Sequence, residues 1–373
     1  MAEHTPAKHE KEPFIMLSKR DGVSAGKAMS IRAVAILIAV LICGLLTVLV
    51  TGDNPFSIFG TFFDGAFGTE QRIWVTAQNV AILLCIAIAV TPAFRMRFWN
   101  TGAEGQTLAG CLMTAVLMIT LGGRIPDWLL IIIMLVGSVL AGMIWGVIPA
   151  FFKAIWNTNE TLFTLMMNYI AVQLVEFFLK IADKSGSNTV GPNLLAHGWL
   201  PDLFGKQYLL NIVIVAAITV AVYFYLKYSK HGYEIAVVGE SENTARYVGI
   251  NVKKVVVRTM ALSGAICGLA GLLLVAGTSH SIDSNLVAGR GFTAIMVSWL
   301  AKFNPATMVF ASLLLVFMQR GSEQVTMVFG LNASFSDILT GVILFFIIGC
   351  EFFINYKVRF RVGKAHKAEE VSK

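Results

Sequence analysis

Apolar runs of 18 residues or more recur along this chain, and they restrict its fold more than any other feature. A bilayer core about 30 Å thick is crossed by a helix of about 20 apolar residues. Inside that core each backbone N–H and C=O must be paired within the protein, so only helices and closed barrels can span it. The runs here are continuous rather than alternating, which selects helices. The first covers 31–50 (IRAVAILIAVLICGLLTVLV). Others follow at 73–93, from the polar stretch at 100–106 to Gly122-Gly123, at 127–152, 161–181, 208–228, about 259–279, and 336–356. With 56% of its 373 residues hydrophobic and 14% charged, the chain is not a soluble globular protein. The expected fold is all-α and polytopic, with about ten transmembrane helices.

Charge orients these spans. The net charge of +7 comes from clusters in the N-terminal tail, in 227–258 and after residue 356. The middle cluster holds Lys227, Lys230, Arg246, Lys253, Lys254 and Arg258; the last holds Lys357, Arg359, Arg361, Lys364 and Lys367. Loops rich in Lys and Arg stay cytoplasmic, so both termini and 227–258 are read as inside. This pattern accounts for the basic balance without a nucleic-acid partner. The loop 51–72, with Asp53, Asp64 and Glu70, and the Gly-, Ser-, Asn- and Pro-containing loop 182–207 are read as outside. Three regions result: a cytoplasmic tail at 1–30, a membrane domain at 31–356, and a basic cytoplasmic tail at 357–373.

Two short apolar runs, 286–301 and 305–319, are separated by Lys302-Phe303-Asn304-Pro305, which breaks a helix. They either cross and return, giving ten spans, or form a re-entrant hairpin shielded by protein, giving eight. Neither choice alters the orientation of the termini.

The long polar passage 227–258 contains a helix signature at 242–248. Ser241 can cap the free N–H groups, Glu242 sits at the positive end of the dipole, and Gly249 can take the left-handed stop. Seven residues make a rod of roughly 10 Å. Such a rod suits the transfer of a push from a soluble partner; an ordinary cytoplasmic loop with one helical turn is the simpler reading.

No catalytic constellation stands out. A G-x-x-x-x-G-K-[ST] phosphate loop is absent, and the six histidines lack metal-ligand spacing. Cys43, Cys85, Cys111, Cys267 and Cys350 all fall in apolar runs and read as small buried hydrophobes. Polar residues inside spans are costly and face protein or a water-filled path. Gln78, Asn79, Asn168 and Asn211 are such residues, and Thr161, Thr164 and Asn168 share one face of their helix. Each is a candidate for a substrate path or for an interhelical hydrogen bond. Thr101-x-x-Glu104 has the form of a capping box. Gly264-x-x-x-Gly268 and Gly268-x-x-Gly271 let helices approach closely.

The segment Gly239-Glu240-Ser241-Glu242-Asn243-Thr244-Ala245-Arg246-Tyr247-Val248-Gly249-Ile250 resembles the coupling loop of permease subunits of bacterial ABC importers, in the simple-sugar and nucleoside branch. Asn100-Thr101-Gly102-Ala103-Glu104-Gly105-Gln106 is similar to the N-x-G-x-E-G-Q signature of the nucleoside-type members, and Asn159-Glu160 with 165–170 (LMMNYI) to another of their segments. The likeness covers about 75–350. It implies a location in the bacterial cytoplasmic membrane and ATP and Mg bound on a separate ATPase rather than on this chain. It also implies a second permease chain and an extracytoplasmic binding protein or lipoprotein as partners. Gly239, Glu240, Ser241, Glu242, Asn243, Ala245, Arg246 and Gly249 would make the ATPase contact, with Ala245 as a small residue on the docking face. Nucleosides are the implied substrate, with simple sugars second. A secondary transporter is the rival mechanism, for which Glu176 is the main acidic candidate within the spans.

Overall fold

The computed structural model describes residues 15–20, 24–183 and 188–360. Much of the 1–30 tail and the basic residues Arg361, Lys364 and Lys367 lie outside the described residues. The elements run β1 (Ile15–Lys19), α1 (Ala25–Thr51), α2 (Pro55–Phe67), α3 (Glu70–Arg95), α4 (Ala103–Leu121), α5 (Asp127–Trp156), α6 (Glu160–Ala182) and α7 (Leu209–Tyr228). They continue with α8 (Lys230–Glu240), α9 (Glu242–Tyr247), α10 (Val252–Leu274), a π-helical turn (Val275–Ser279), α11 (Arg290–Leu300), α12 (Pro305–Val328), α13 (Ala333–Asn355) and β2 (Tyr356–Phe360). Eight of the helices are long and apolar enough to cross a membrane.

The chain forms two compact units, residues 61–324 and residues 1–60 with 325–373. In the smaller one, α1 packs on α13, and β1 pairs antiparallel with β2 from Ile15 opposite Phe360 to Lys19 opposite Tyr356. Neither strand is foreseen from the apolar runs. Arg32 and Glu351, both inside apolar stretches, neutralise each other at 2.5 Å.

The larger unit is built on α3, α4, α5 and α10. Their mutual approach follows from glycine. Gly264 and Gly268 on α10 face Gly142 and Gly146 on α5, while Gly268 and Gly271 face Gly110 and Thr107 on α4. A Cβ at Gly268 would lie 3.1 Å from the Gly142 Cα and collide with the Ser138 carbonyl. The small-residue spacing on α10 therefore acts as a seam for two neighbouring helices at once. Helix starts are set locally: Thr69, Asn159, Ser229, Ser241 and Asn251 each accept a hydrogen bond from an N–H of the first turn that follows.

Three expectations change. The loop 51–72 contains α2, a helix of 13 residues. The run 286–301 yields α11, whose 11 residues rise only about 16 Å, roughly half the bilayer core. After a turn in which Lys302 and Phe303 both take positive φ, α12 continues through Gln319 and Arg320 to Val328, well past the expected end at 319. In the segment 188–207, Val190 and Leu195 are fully buried, and Val190 bridges to Ile282.

Candidate functional site

The stretch between α3 and α4 is tied by side-chain hydrogen bonds to α4, α6 and α10. Asn100 is fully buried, and its amide donates to the Ser263 hydroxyl (3.1 Å) and accepts from the Gln106 amide (3.1 Å) and the Gly102 N–H (3.1 Å). One side chain thus ties the start of α4 to the middle of α10. Asn168 performs the same task from α6: its Oδ1 accepts from the Gly105 N–H and its Nδ2 donates to the Thr101 carbonyl, both at 2.9 Å. Gly105 is required by that contact, since a Cβ there would sit 2.9 Å from the Asn168 Oδ1 and 3.0 Å from its Cα. Thr164 joins with its hydroxyl 2.9 Å from that of Thr101. The amide of Asn168 and the hydroxyl of Thr164 thus both bond protein groups at the joint of α4 and α6.

Glu104 corrects an expectation. The N-cap of α4 is Gly102, with no side-chain cap bond, so Thr101 and Glu104 do not form a capping box. The Glu104 carboxylate instead reaches a different helix, accepting from the N–H groups of Gly289 (2.8 Å) and Gly291 (2.7 Å) at the start of α11. A carboxylate there satisfies orphan donors and complements the helix dipole. Gly291 is buried and close-packed, its hypothetical Cβ only 2.5 Å from the Glu104 N.

A second polar group lies along α3. Asn79 is the tenth of the 26 residues of this helix. Its Nδ2 turns back to the Val75 carbonyl (2.7 Å), and its Oδ1 accepts from the Arg290 guanidinium (3.0 Å). Both side chains are partly exposed. Arg290 also donates to the Leu286 carbonyl (3.3 Å), and among the described residues no carboxylate pairs with it. Arg320 and Glu323 of α12 bond each other at 2.8 Å, with Gln319 donating to Glu323. Gln78 is buried on another face of α3 and donates to the Thr278 hydroxyl in the π-turn, while its Oε1 has no protein partner. Asn211 donates to the Gly277 carbonyl of that turn (3.1 Å).

The polar passage 227–258 is a pair of helices. Gly239 lets α8 press on the end of α3, because a Cβ there would strike the Arg95 carbonyl. Glu234 of α8 bonds Arg258 of α10 at 2.8 Å, and that hydrogen bond holds its carboxyl below the usual range. The next helix, α9, occupies Glu242–Tyr247, with the Ser241 hydroxyl accepting from the Thr244 N–H (3.2 Å) and Gly249 left-handed at φ 81°. Ala245 is fully buried against the chain itself. It cannot be the outward docking residue expected for it. The outward residues are Glu240, Glu242, Asn243, Thr244, Arg246, Tyr247, Val248 and Gly249, and Tyr247 is 91% exposed.

The family described as "Branched-chain amino acid transport system / permease component" matches residues 73–348. The chain belongs to this family. Among this permease's relatives, the guanosine ABC transporter permease protein NupP of Bacillus subtilis is 28% identical, over 89% of this chain and 96% of that one. The nucleoside ABC transporter permease protein NupB of Lactococcus lactis is 28% identical, over 88% and 93%. The glucose ABC transporter permease protein TsgB13 of Haloferax volcanii is 26% identical, over 92% and 93%. The permease is a multi-pass protein of the cytoplasmic membrane, as its apolar helices require.

Sequence reasoning missed several of the permease's polar contacts. Arg290 is a cation beside a short apolar run and flanked by Gly289 and Gly291, a signal that was legible. Ser263 and Thr278 carried none, because single hydroxyls in a span are common helix bonds. Gly142-x-x-x-Gly146 repeats the spacing of Gly264-x-x-x-Gly268 and could have been paired with it.

Proposed function

We propose that this permease carries nucleosides inward by alternating access, with ATP hydrolysed on a separate ATPase and substrate delivered by an extracytoplasmic binding protein. The observation that carries the reading is the partly exposed polar pair of Asn79, ten residues into α3, and Arg290, the first residue of α11. Lipid does not solvate such groups, so that face meets water or a second permease chain. A central path shared by two permease chains satisfies both. The names of NupP and NupB support nucleosides as cargo.

The outward side of α9 is the proposed ATPase contact, centred on Tyr247 and Asn243, one helical turn apart. Gly239, Ser241 and Ala245 then act from within, fixing the helix pair against α3 and α10, and Gly249 ends the helix in the left-handed conformation.

The test uses the assembled transporter with its ATPase and binding protein in proteoliposomes. ATP-dependent uptake of labelled nucleoside is expected, competed by other nucleosides and not by pentoses or glucose. Tyr247→Ala is expected to leave the complex assembled and to reduce uptake at least severalfold per ATP hydrolysed. Uptake competed by sugars but not by nucleosides would replace the cargo reading, and normal coupling in Tyr247→Ala would remove the contact.

A further inference from the structure

We infer that Arg290 is the specificity contact of the translocation path, and that its guanidinium takes the O6/N7 edge of a 6-oxopurine nucleoside. The inference rests on the nucleoside reading above and goes beyond it in naming the base class and the residue that reads it.

A guanidinium carries five N–H donors in a planar fork. Those of Arg290 that bond the described residues go to two neutral acceptors, the Asn79 Oδ1 (3.0 Å) and the Leu286 carbonyl (3.3 Å). Both contacts fix the fork from the side and leave donors over. The neighbouring carboxylate that could have neutralised it, Glu104, is engaged with the N–H groups of Gly289 and Gly291 on either side of Arg290. Arg320 and Glu323 on α12 are paired with each other. Arg290 opens α11, a short and otherwise apolar helix, and a residue that served only to pack there would be apolar. What remains is a guanidinium held through both terminal nitrogens, each with one N–H to spare, on a partly exposed face.

The chemistry complementary to that fork is two adjacent acceptors in one plane. Guanine offers N7 and O6 in that arrangement, and hypoxanthine shares both atoms. Adenine places an N6 amino donor beside N7, which opposes a guanidinium. Uracil has a single carbonyl, O4, beside a C5–H on its corresponding edge. The path should therefore favour guanosine and inosine over adenosine and uridine. Asn79 is a positioning residue in this scheme, because it touches the guanidinium and not the base.

The experiment compares native, Arg290→Lys and Arg290→Gln transporters, each reconstituted with the same ATPase and binding protein. Uptake of guanosine, inosine, adenosine and uridine is measured per assembled complex. Lys keeps the charge but loses the planar fork. Arg290→Lys is expected to lower guanosine and inosine uptake by roughly tenfold while changing adenosine and uridine less than about threefold, within the discrimination a bidentate Arg contact supplies. Arg290→Gln should show the same ordering. Equal losses for all four nucleosides, or unchanged ratios, would overturn the assignment, as would failure of both variants to assemble, which would make Arg290 a structural residue. A native transporter that moves sugars and no nucleoside would remove the nucleoside reading itself. Native nucleoside uptake with ratios unaffected by Arg290→Lys would remove only the present inference.

Discussion

Two of the polar groups within the helices of this permease differ in what they leave unused. Around Asn100, Gln106, Asn168 and Ser263, side-chain amides and hydroxyls close on one another and on backbone groups of α4, buried where α4, α6 and α10 meet. Around Asn79 and Arg290, the groups are partly exposed, and the guanidinium retains donors beyond its two contacts with the described residues. A polar residue in a span is therefore not by itself a sign of a path. The count of donors and acceptors left over separates a joint from a site.

The sharpest break in the joint is steric. Gly268 sits where α10 meets both α4 and α5, and the atoms around it are backbone, which does not yield. Gly268→Val should destabilise the chain by about 3 kcal/mol or more, at or beyond the upper end of ordinary overpacking. Thermal unfolding of the purified complex and its recovery by size exclusion would measure this. Recovery at native levels with an unshifted melting temperature would mean that the seam is looser than its packing implies.

The next test removes a hydrogen-bond partner and leaves the space nearly filled. Asn168→Leu strands the Gly105 N–H and the Thr101 carbonyl in a buried place, at a cost of about 1–3 kcal/mol for each group left unsatisfied. Stability should fall by that order, while uptake per assembled complex and the order of preference among nucleosides stay near native. A stable variant with a shifted preference would move Asn168 from the joint to the path.

The sequence made the joint's members visible but not their roles. Continuous apolar runs gave the long helices, because backbone satisfaction in lipid admits few alternatives. Ser241 and Gly249 marked α9 through local capping chemistry, and the structure places that helix at Glu242–Tyr247. Where the outcome depended on a partner distant in sequence, legibility ended. Thr101 and Glu104 satisfy a capping pattern, yet Glu104 bonds Gly289 and Gly291, some 185 residues on. Ala245 looked like a docking residue on the pattern of a short helix, but only tertiary packing decides which face turns inward. Arg290 was overlooked because its run is too short for a span and was treated as a topological question rather than a chemical one.

Gln78 belongs to neither group cleanly, and the smallest expected effect decides its side. It is buried like the joint, but one end of its amide is unpaired. The Thr278 hydroxyl already donates to the Leu273 carbonyl (3.1 Å), so it accepts from the Gln78 Nε2, and the Oε1 is the orphan. Replacing Gln78 by Leu loses one neutral hydrogen bond, worth about 0.5–1.5 kcal/mol, and at the same time removes a buried unsatisfied carbonyl costing about 1–3 kcal/mol. The two nearly cancel, and the melting temperature should stay the same or rise slightly. A joint residue would behave as Asn168 does and lose stability. Retention of the amide therefore needs another reason, and the π-turn supplies one. Thr278 lies in the π-helical turn that follows α10, and π-turns are frequent at functional sites. On this account Gln78→Leu keeps native stability and slows uptake per complex, whereas equal losses in stability and uptake would place Gln78 with the joint.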